Sequence, residues 1–195
     1  MSNKIPFGLK NNIMVDVESV NSGVACACIC PSCLEPLQAR KGKVNCHHFA
    51  HLPTSDERDC SYAPESSLHR MAKQIIVEEK KISLPELKVE ESFYDIVNIK
   101  HKKQAVVASK SNISFDIVKS EVTYSDIRSD VVASINDKDI LIEIYVTHKV
   151  SSEKIQKIKK LGLPMIEIDL SKYLRRNDFS KEKLKAHIIR NLEIK

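Results

Sequence analysis

A mixed α/β domain preceded by a small cysteine-rich β module is the fold class that this 195-residue sequence predicts. Three observations lead there. All six cysteines, at 26, 28, 30, 33, 46 and 60, fall in the first third of the chain, interleaved with His47, His48 and His51. A helix-period run follows, and then a series of β-branched alternations closes with a helix and another apolar strand. A 42% hydrophobic content, only four glycines and no low-complexity tract describe a chain that folds around one good core with room for an appendage. We place the module at 1–64 and the main domain at 65–195.

From Ile13 to Asn45, short apolar runs alternate with turn signals: Asn21-Ser22-Gly23, the Cys30-Pro31-Ser32-Cys33 knuckle and Lys41-Gly42-Lys43. This reads as small antiparallel strands, with Leu37 to Arg40 pairing with Val44 to Phe49 across Gly42. Residues 52–64, rich in Pro, Ser and Asp, read as a connecting loop. After Pro64, a helix from Glu65 to about Lys80 is predicted by Leu68, Met71, Ala72, Ile75 and Ile76, which recur at the spacing of one buried face. Strands are expected at Ala105 to Ser109, Ser114 to Tyr124, Ser129 to Ile135 and Ile140 to Thr147, the last two forming a hairpin across Asn136 to Asp139. Ser151 or Ser152 caps a helix that Gly162 and Pro164 end at about Leu161, and Met165 to Leu170 follows as a strand in a β-α-β crossover. A last amphipathic helix from Ser180 to Leu192 carries Leu184, Ile188 and Leu192 on one stripe.

The two-residue spacing of Cys30 and Cys33 lets both sulfurs of a tight knuckle reach one tetrahedral ion. With His51 and Cys60 they make a Cys3His set for structural Zn2+, and His48 and Cys28 are the alternates. Clustered thiols fit metal in a reducing compartment better than disulfides. Met1 to Lys10 is polar and no stretch of 18 apolar residues occurs, so secretion and membrane spanning are disfavoured and a cytoplasmic location is expected.

Two acids stand out on the hairpin. Glu143 interrupts the apolar run Ile140 to Val146, where an unpaired carboxylate is costly, and Asp130 lies on the other strand. Carboxylates on rigid strands are what a Mg2+- or Mn2+-dependent phosphodiesterase requires. Glu65, His69 and Lys73 follow one another at four-residue spacing and project from one helix face, lining the same cleft or simply supporting the helix as a side-chain stripe. The net charge is +5, and from Lys149 onward 13 Lys and Arg face 6 Asp and Glu, a surplus that suits a polyanion. Arg40, Lys41, Lys43, Lys149, Lys181 and Lys185 are the candidate phosphate contacts.

Taken in order, Ile29-Cys30-Pro31-Ser32-Cys33, Pro36-Leu37, Arg40-Lys41-Gly42, His48-Phe49-Ala50-His51, Cys60 and Glu65 with His69 and Lys73 resemble the CoiA-like competence proteins. Arg128, Asp130 and Val131, with Ile142-Glu143-Ile144, are similar to that group's nuclease core. The resemblance runs from about Gly23 to Leu170. It implies a restriction-endonuclease-like PD-(D/E)xK fold, DNA as substrate, and Glu65, Asp130 and Glu143 as the acids that hold Mg2+ or Mn2+. The motif's third position, where Lys or Gln is usual, holds Tyr145. A phenol carries no positive charge at neutral pH, so Lys154 on the following helix is the candidate replacement, ahead of Lys149. His148 is a candidate acid or base at the strand end. The expected function is metal-dependent DNA hydrolysis in DNA processing, competence or phage defence. The alternative is a catalytically impaired DNA-binding or adaptor subunit of a larger complex.

Overall fold

Asn11 and Asn12, both at positive φ (50° and 62°), make the tight turn between β1 (Phe7–Lys10) and β2 (Ile13–Asp16). The structure, a computed structural model, describes residues 4–53, 60–175 and 179–190. β3 (Gly23–Ile29), β4 (Pro36–Arg40) and β5 (His48–His51) extend the hairpin to five antiparallel strands in the order β2-β1-β3-β4-β5. Ile5 exchanges backbone hydrogen bonds of 3.0 and 2.8 Å with Phe49, which curls the sheet back on itself. Gly8 suits that closure, because a Cβ there would lie 3.1 Å from Cβ of Cys28 and 3.2 Å from the Phe49 ring and would press both back by a few tenths of an ångström. The predicted pairing across Gly42 is present, from Leu37↔His51 to Arg40↔His48. Its second strand starts at His48 rather than Val44, whose side chain is exposed and has no core to join.

α1 (Ala63–Glu79) opens with Pro64 in its first turn and buries Leu68, Met71, Ala72, Ile75 and Ile76, as their periodicity predicts. It begins two residues before the expected Glu65, and residues 54–59 of the expected loop lie outside the described residues. β6 (Lys81–Leu84) pairs with β9 (Ser111–Ser114), and beyond them β7 (Leu87–Tyr94) pairs with β8 (Lys100–Ala108) as a separate two-stranded ribbon. β1, β6 and β7 were not expected, and β8 begins before Ala105. The strand expected from Ser114 to Tyr124 is broken at Phe115, whose ring turns into the core while its N–H donates to Lys80 O (2.8 Å).

The second main sheet runs β10 (Ile117–Tyr124), β11 (Ile127–Ile135), β12 (Lys138–Tyr145) and β13 (Met165–Asp169) in that order. Asn136 and Asp137, at φ 48° and 59°, form the β11–β12 turn. α2 (Ser152–Leu161) is capped by the Ser151 hydroxyl and ends at Gly162 with φ 68°, returning the chain to β13 parallel to β12. α1 covers one face of this sheet through Val131, Ala133, Ile142 and Ile144, and α2 covers the other, with Ile158 among Ile127, Val132 and Leu141. α3 (Lys181–Arg190) buries Leu184 and Ile188 against α1 and β6, while Leu192 lies outside the described residues. Phe7, Leu9 and Met14 enter the same core, and the Gln74 amide bonds the backbone of Met14 on both sides (2.7 and 3.1 Å). The architecture is therefore mixed α/β with mainly antiparallel sheets. Among the described residues, no helix is long and apolar enough to cross a membrane.

Candidate functional site

The first polar cluster is built by local turns. Cys30 follows β3; its carbonyl accepts the Leu34 N–H (2.9 Å) and its own N–H donates to Glu35 O (2.8 Å), with Leu34 in the left-handed region at φ 64°. That knuckle brings Cys33 beside Cys30. His51 ends β5, and Cys60 sits just before α1, where its carbonyl accepts the Ala63 N–H (3.1 Å). The ligand atoms of Cys30, Cys33, His51 and Cys60 all lie within 4.8 Å of one another. Cys33 Sγ is 3.2 Å from His51 Nε2, and Cys30 Sγ is 3.9 Å from Cys60 Sγ. Two sulfurs at zinc-bond length on a tetrahedron stand about 3.8 Å apart, and three thiols with one imidazole are a donor set zinc favours. The group could therefore hold zinc, and four protein ligands would leave no position open for substrate.

The alternates face elsewhere. His48 is buried with Nδ1 2.8 Å from Cys46 O, and the Cys28 thiol donates to Cys26 O (3.4 Å). Burial pushes the Cys30 thiol up to about 12, against the opposing pull of the Cys33 and Ser32 N–H groups, and burial raises Cys60 as well. A cation entering this cluster must displace protons, which makes its affinity rise with pH.

The second cluster lies where two strands part. β11 and β12 are paired from Ile135↔Lys138 to Val131↔Ile142, and the next residues in register are Asp130 and Glu143. Beyond that point β11 pairs only with β10, and β12 only with β13. Asp130 Oδ2 occupies the mouth of this fork, accepting the Ile144 N–H (2.9 Å) and lying 3.0 Å from His69 Nε2. Glu143 is 4% exposed; its Oε1 accepts the Ser129 hydroxyl (2.9 Å) and its Oε2 the Lys154 ammonium (2.7 Å). Lys154 thus reaches back from α2, as its place on that helix suggests. Tyr145 makes no such contact with Glu143; the Lys149 ammonium lies over its ring, 5.6 Å from the centroid.

The two acids are driven apart. Burial works to raise Asp130, but the His69 hydrogen bond and charge, the Ile144 N–H and Lys73 together hold it below the usual aspartate range. Burial raises Glu143, and the negative charge of Asp130 adds to that, outweighing Lys154 and Ser129. Crowded like charges of this kind are relieved by a cation held between them.

Glu65 and Lys73 point to either side of His69. Glu65 Oε1 is 3.8 Å from His148 Nδ1, and the buried Lys73 donates to Glu121 (2.7 Å). His69 and Lys73 therefore reach the sheet and Glu65 the segment after β12, rather than pairing among themselves. Among the described residues, Glu65, Asp130 and Glu143 do not converge as closely as the Cys3His group does. Ser129, which fixes Glu143, was not singled out from sequence; a lone strand serine carries no periodic or motif signal.

The expected phosphate contacts divide. Lys181 pairs with Glu78 (2.9 Å) and Lys185 with Glu79, so these two ammonium groups are spent docking α3 on α1. Lys41 donates to the carbonyls of Glu18 (3.2 Å) and Val20 (2.6 Å) and serves as a loop tie. Arg40 and Lys43 form no ion pair among the described residues, and Lys43 is exposed beside Cys46 and His47 in a shallow depression.

Residues 19–63 match the N-terminal domain of the competence protein CoiA. The match contains all four residues of the Cys3His group and supports the resemblance to CoiA-like competence proteins; it ends two residues before Glu65. No curated protein and no solved structure matches the chain.

Proposed function

We propose that the fork is the active site of a metal-dependent deoxyribonuclease of the PD-(D/E)xK type, in a competence-related role in line with the matched domain. The observation that carries this reading is the pairing of Asp130 and Glu143 at the parting of β11 and β12, with a lysine ammonium 2.7 Å from the buried acid. Asp130 and Glu143 would hold Mg2+ or Mn2+, with Glu65 on α1 as a further oxygen donor. An ion bound there would polarise the phosphate and lower the pKa of an attacking water. Ser129 fixes the Glu143 carboxylate, and His69 with the Ile144 N–H fixes Asp130. Lys154 supplies beside Glu143 the positive charge that Tyr145 lacks, placed to stabilise charge that develops on the phosphate. The Cys3His group contributes by holding the start of α1, and hence Glu65 and His69, against the sheet.

The test is cleavage of labelled single- and double-stranded DNA by the zinc-loaded chain with Mg2+, Mn2+ or neither. Cutting should require the added ion and fall about 100-fold or more in Glu143→Ala and in Lys154→Met. Equal rates in wild type and Glu143→Ala would remove the chemical basis of the reading. A second reading rests on Tyr145: the chain binds DNA without cutting it, as a subunit of a larger assembly. Binding without cleavage in wild type, with cleavage gained in Tyr145→Lys, would select it.

A further inference from the structure

Among the described residues nothing packs on the ribbon of β7 and β8: every residue from Leu87 to Tyr94 and from Lys100 to Ala108 is exposed. At about 3.3 Å per residue it reaches roughly 26 Å. More than half of the exposed large hydrophobic side chains among the described residues lie on this arm, including Val89, Phe93, Ile96 and Val97. A two-stranded hairpin alone in water is marginally stable, and concentrated apolar exposure marks an interaction surface.

The two faces of the arm differ. Register puts Lys88, Glu90, Lys102 and Gln104 on one face together with the exposed Tyr94, Lys100 and Val106, so that three lysines there stand against one glutamate. Glu90 binds Lys102 (2.6 Å) and Gln104 (2.9 Å), and Lys88 pairs with Glu86 (2.8 Å). The other face carries Val89, Glu91 and Phe93 opposite Ala105, Lys103 and His101, with the Phe93 and His101 rings stacked at 5.5 Å. Here Glu91 and Lys103 stand directly opposite each other, yet neither makes an ion pair with the other or with any described residue. The first face holds a surplus of positive charge and would repel a copy of itself. The second combines apolar groups with one unpaired charge of each sign.

We infer that this second face is a self-association surface, and that its occupant is the same face of a second copy of the chain. A twofold axis running along the arm lays β7 of each copy over β8 of the other. Glu91 of each copy then meets Lys103 of the other, Val89 meets Ala105, and the apolar tips at Ile96 and Val97 come together. An axis running across the strands would instead set Glu91 against Glu91, which like-charge repulsion opposes. DNA or an anionic membrane would find no excess of positive charge on this face and would meet Glu91. Six side chains and a tip are a small surface, so the association is weak and reversible, with a dissociation constant of roughly 10 to 100 μM. Nothing in this inference depends on the nuclease reading.

Sedimentation of the full zinc-loaded chain from about 1 to about 200 μM tests it. The mass should climb from one chain toward two. Phe93→Lys should move the midpoint at least about 10-fold higher in concentration, and Glu91→Lys and Lys103→Glu should each weaken association about fivefold or more. An equimolar mixture of Glu91→Lys chains with Lys103→Glu chains should return to within about threefold of wild type, a rescue that a local folding role cannot produce. Thermal melting of dilute variants controls for folding. A monomer throughout, a dimer indifferent to Phe93→Lys, or a mixture no tighter than its components overturns the proposal. So does a Phe93→Lys chain that loses binding to DNA or anionic vesicles while its mass is unchanged, and that outcome would assign the face to that partner.

Discussion

The Cys3His group and the acidic fork are both polar clusters set in apolar surroundings, but they are assembled in opposite ways. In the first, the ligand atoms of three thiols and an imidazole lie within 4.8 Å of one another, and among the described residues no ion pair to a cationic side chain involves them. In the second, each carboxylate has protein donors: an amide and an imidazole for Asp130, a hydroxyl and an ammonium for Glu143. Neutral thiols hold one another weakly, so the first cluster needs an ion to become a cross-link. The fork has its own counter-charges and keeps its shape without one. The difference teaches that the cohesion of the first region calls for an ion, whereas an ion at the fork, as proposed, would serve chemistry rather than folding.

The largest effect should come from breaking the first cluster. Cys30→Ser with Cys33→Ser, or removal of zinc by a strong chelator, should abolish bound zinc measured by elemental analysis and lower the melting temperature by about 15 °C or more. Mg2+ removal at the fork should leave melting nearly unchanged. If zinc proves absent from the purified protein, or its removal leaves melting untouched, the contrast between the regions fails.

Next is Lys154→Met, which strands the buried Glu143 without its cation. We expect a loss of about 2 to 3 kcal/mol by denaturant unfolding, and near-recovery when Glu143→Gln is added, because removing both charges removes the desolvation cost. A double variant as unstable as the single one would mean that Lys154 acts through packing. The acids should also leave opposite pH signatures in zinc-loaded protein free of Mg2+. Glu143 is raised in the folded state, so the folded chain takes up its proton first, and stability should climb as pH falls toward the ordinary value of 4.5. Asp130 is lowered, so its stabilisation is complete above 3.8 and is lost as pH drops below that. Glu143→Gln should erase the climb, a matter of a few °C in melting temperature. Parallel profiles for wild type and variant would show that the fork does not titrate as described.

How much of this was legible in the sequence follows the same division. The knuckle of Cys30 and Cys33 is a fixed spacing, and the caps at Ser151 and Gly162 are single-residue signals, so both could be read locally. The Glu143 interruption was equally visible, and Lys154 lies on the helix that follows its strand. The partners that complete the fork, Ser129 and the Ile144 N–H, depend on where two strands cease to pair, and no residue type announces that. β7 and the part of β8 before Ala105 escaped notice for a related reason: neither ribbon face is buried, so their side chains need not alternate between apolar and polar. Lys181 and Lys185 looked like a basic face because composition cannot reveal that Glu78 and Glu79 on a distant helix take up their charges.

The smallest expected effect asks which region would carry the phosphate contacts of the proposed DNA substrate. Counterion release makes the slope of log K against log salt a measure of how many phosphates the protein neutralises, each of them steepening it by about 0.7 to 0.9. Arg40 and Lys43 lie beside the Cys3His module without an ion pair among the described residues, whereas Lys181 and Lys185 are committed to α1. Releasing those two lysines would leave Glu78 and Glu79 unpaired, so their charge reaches phosphate only at the expense of the α1–α3 pairs. Arg40→Ala and Lys43→Ala should therefore each flatten the slope by nearly one and weaken DNA binding a few-fold. Lys181→Ala and Lys185→Ala should leave the slope unchanged and instead lower the melting temperature slightly, as the loss of exposed ion pairs does. Fluorescence anisotropy across a salt series separates the two patterns. The reverse pattern, a slope flattened by the Lys181 and Lys185 variants and untouched by those at Arg40 and Lys43, would move the DNA-binding face to the α1–α3 side and leave the Cys3His module a purely structural role.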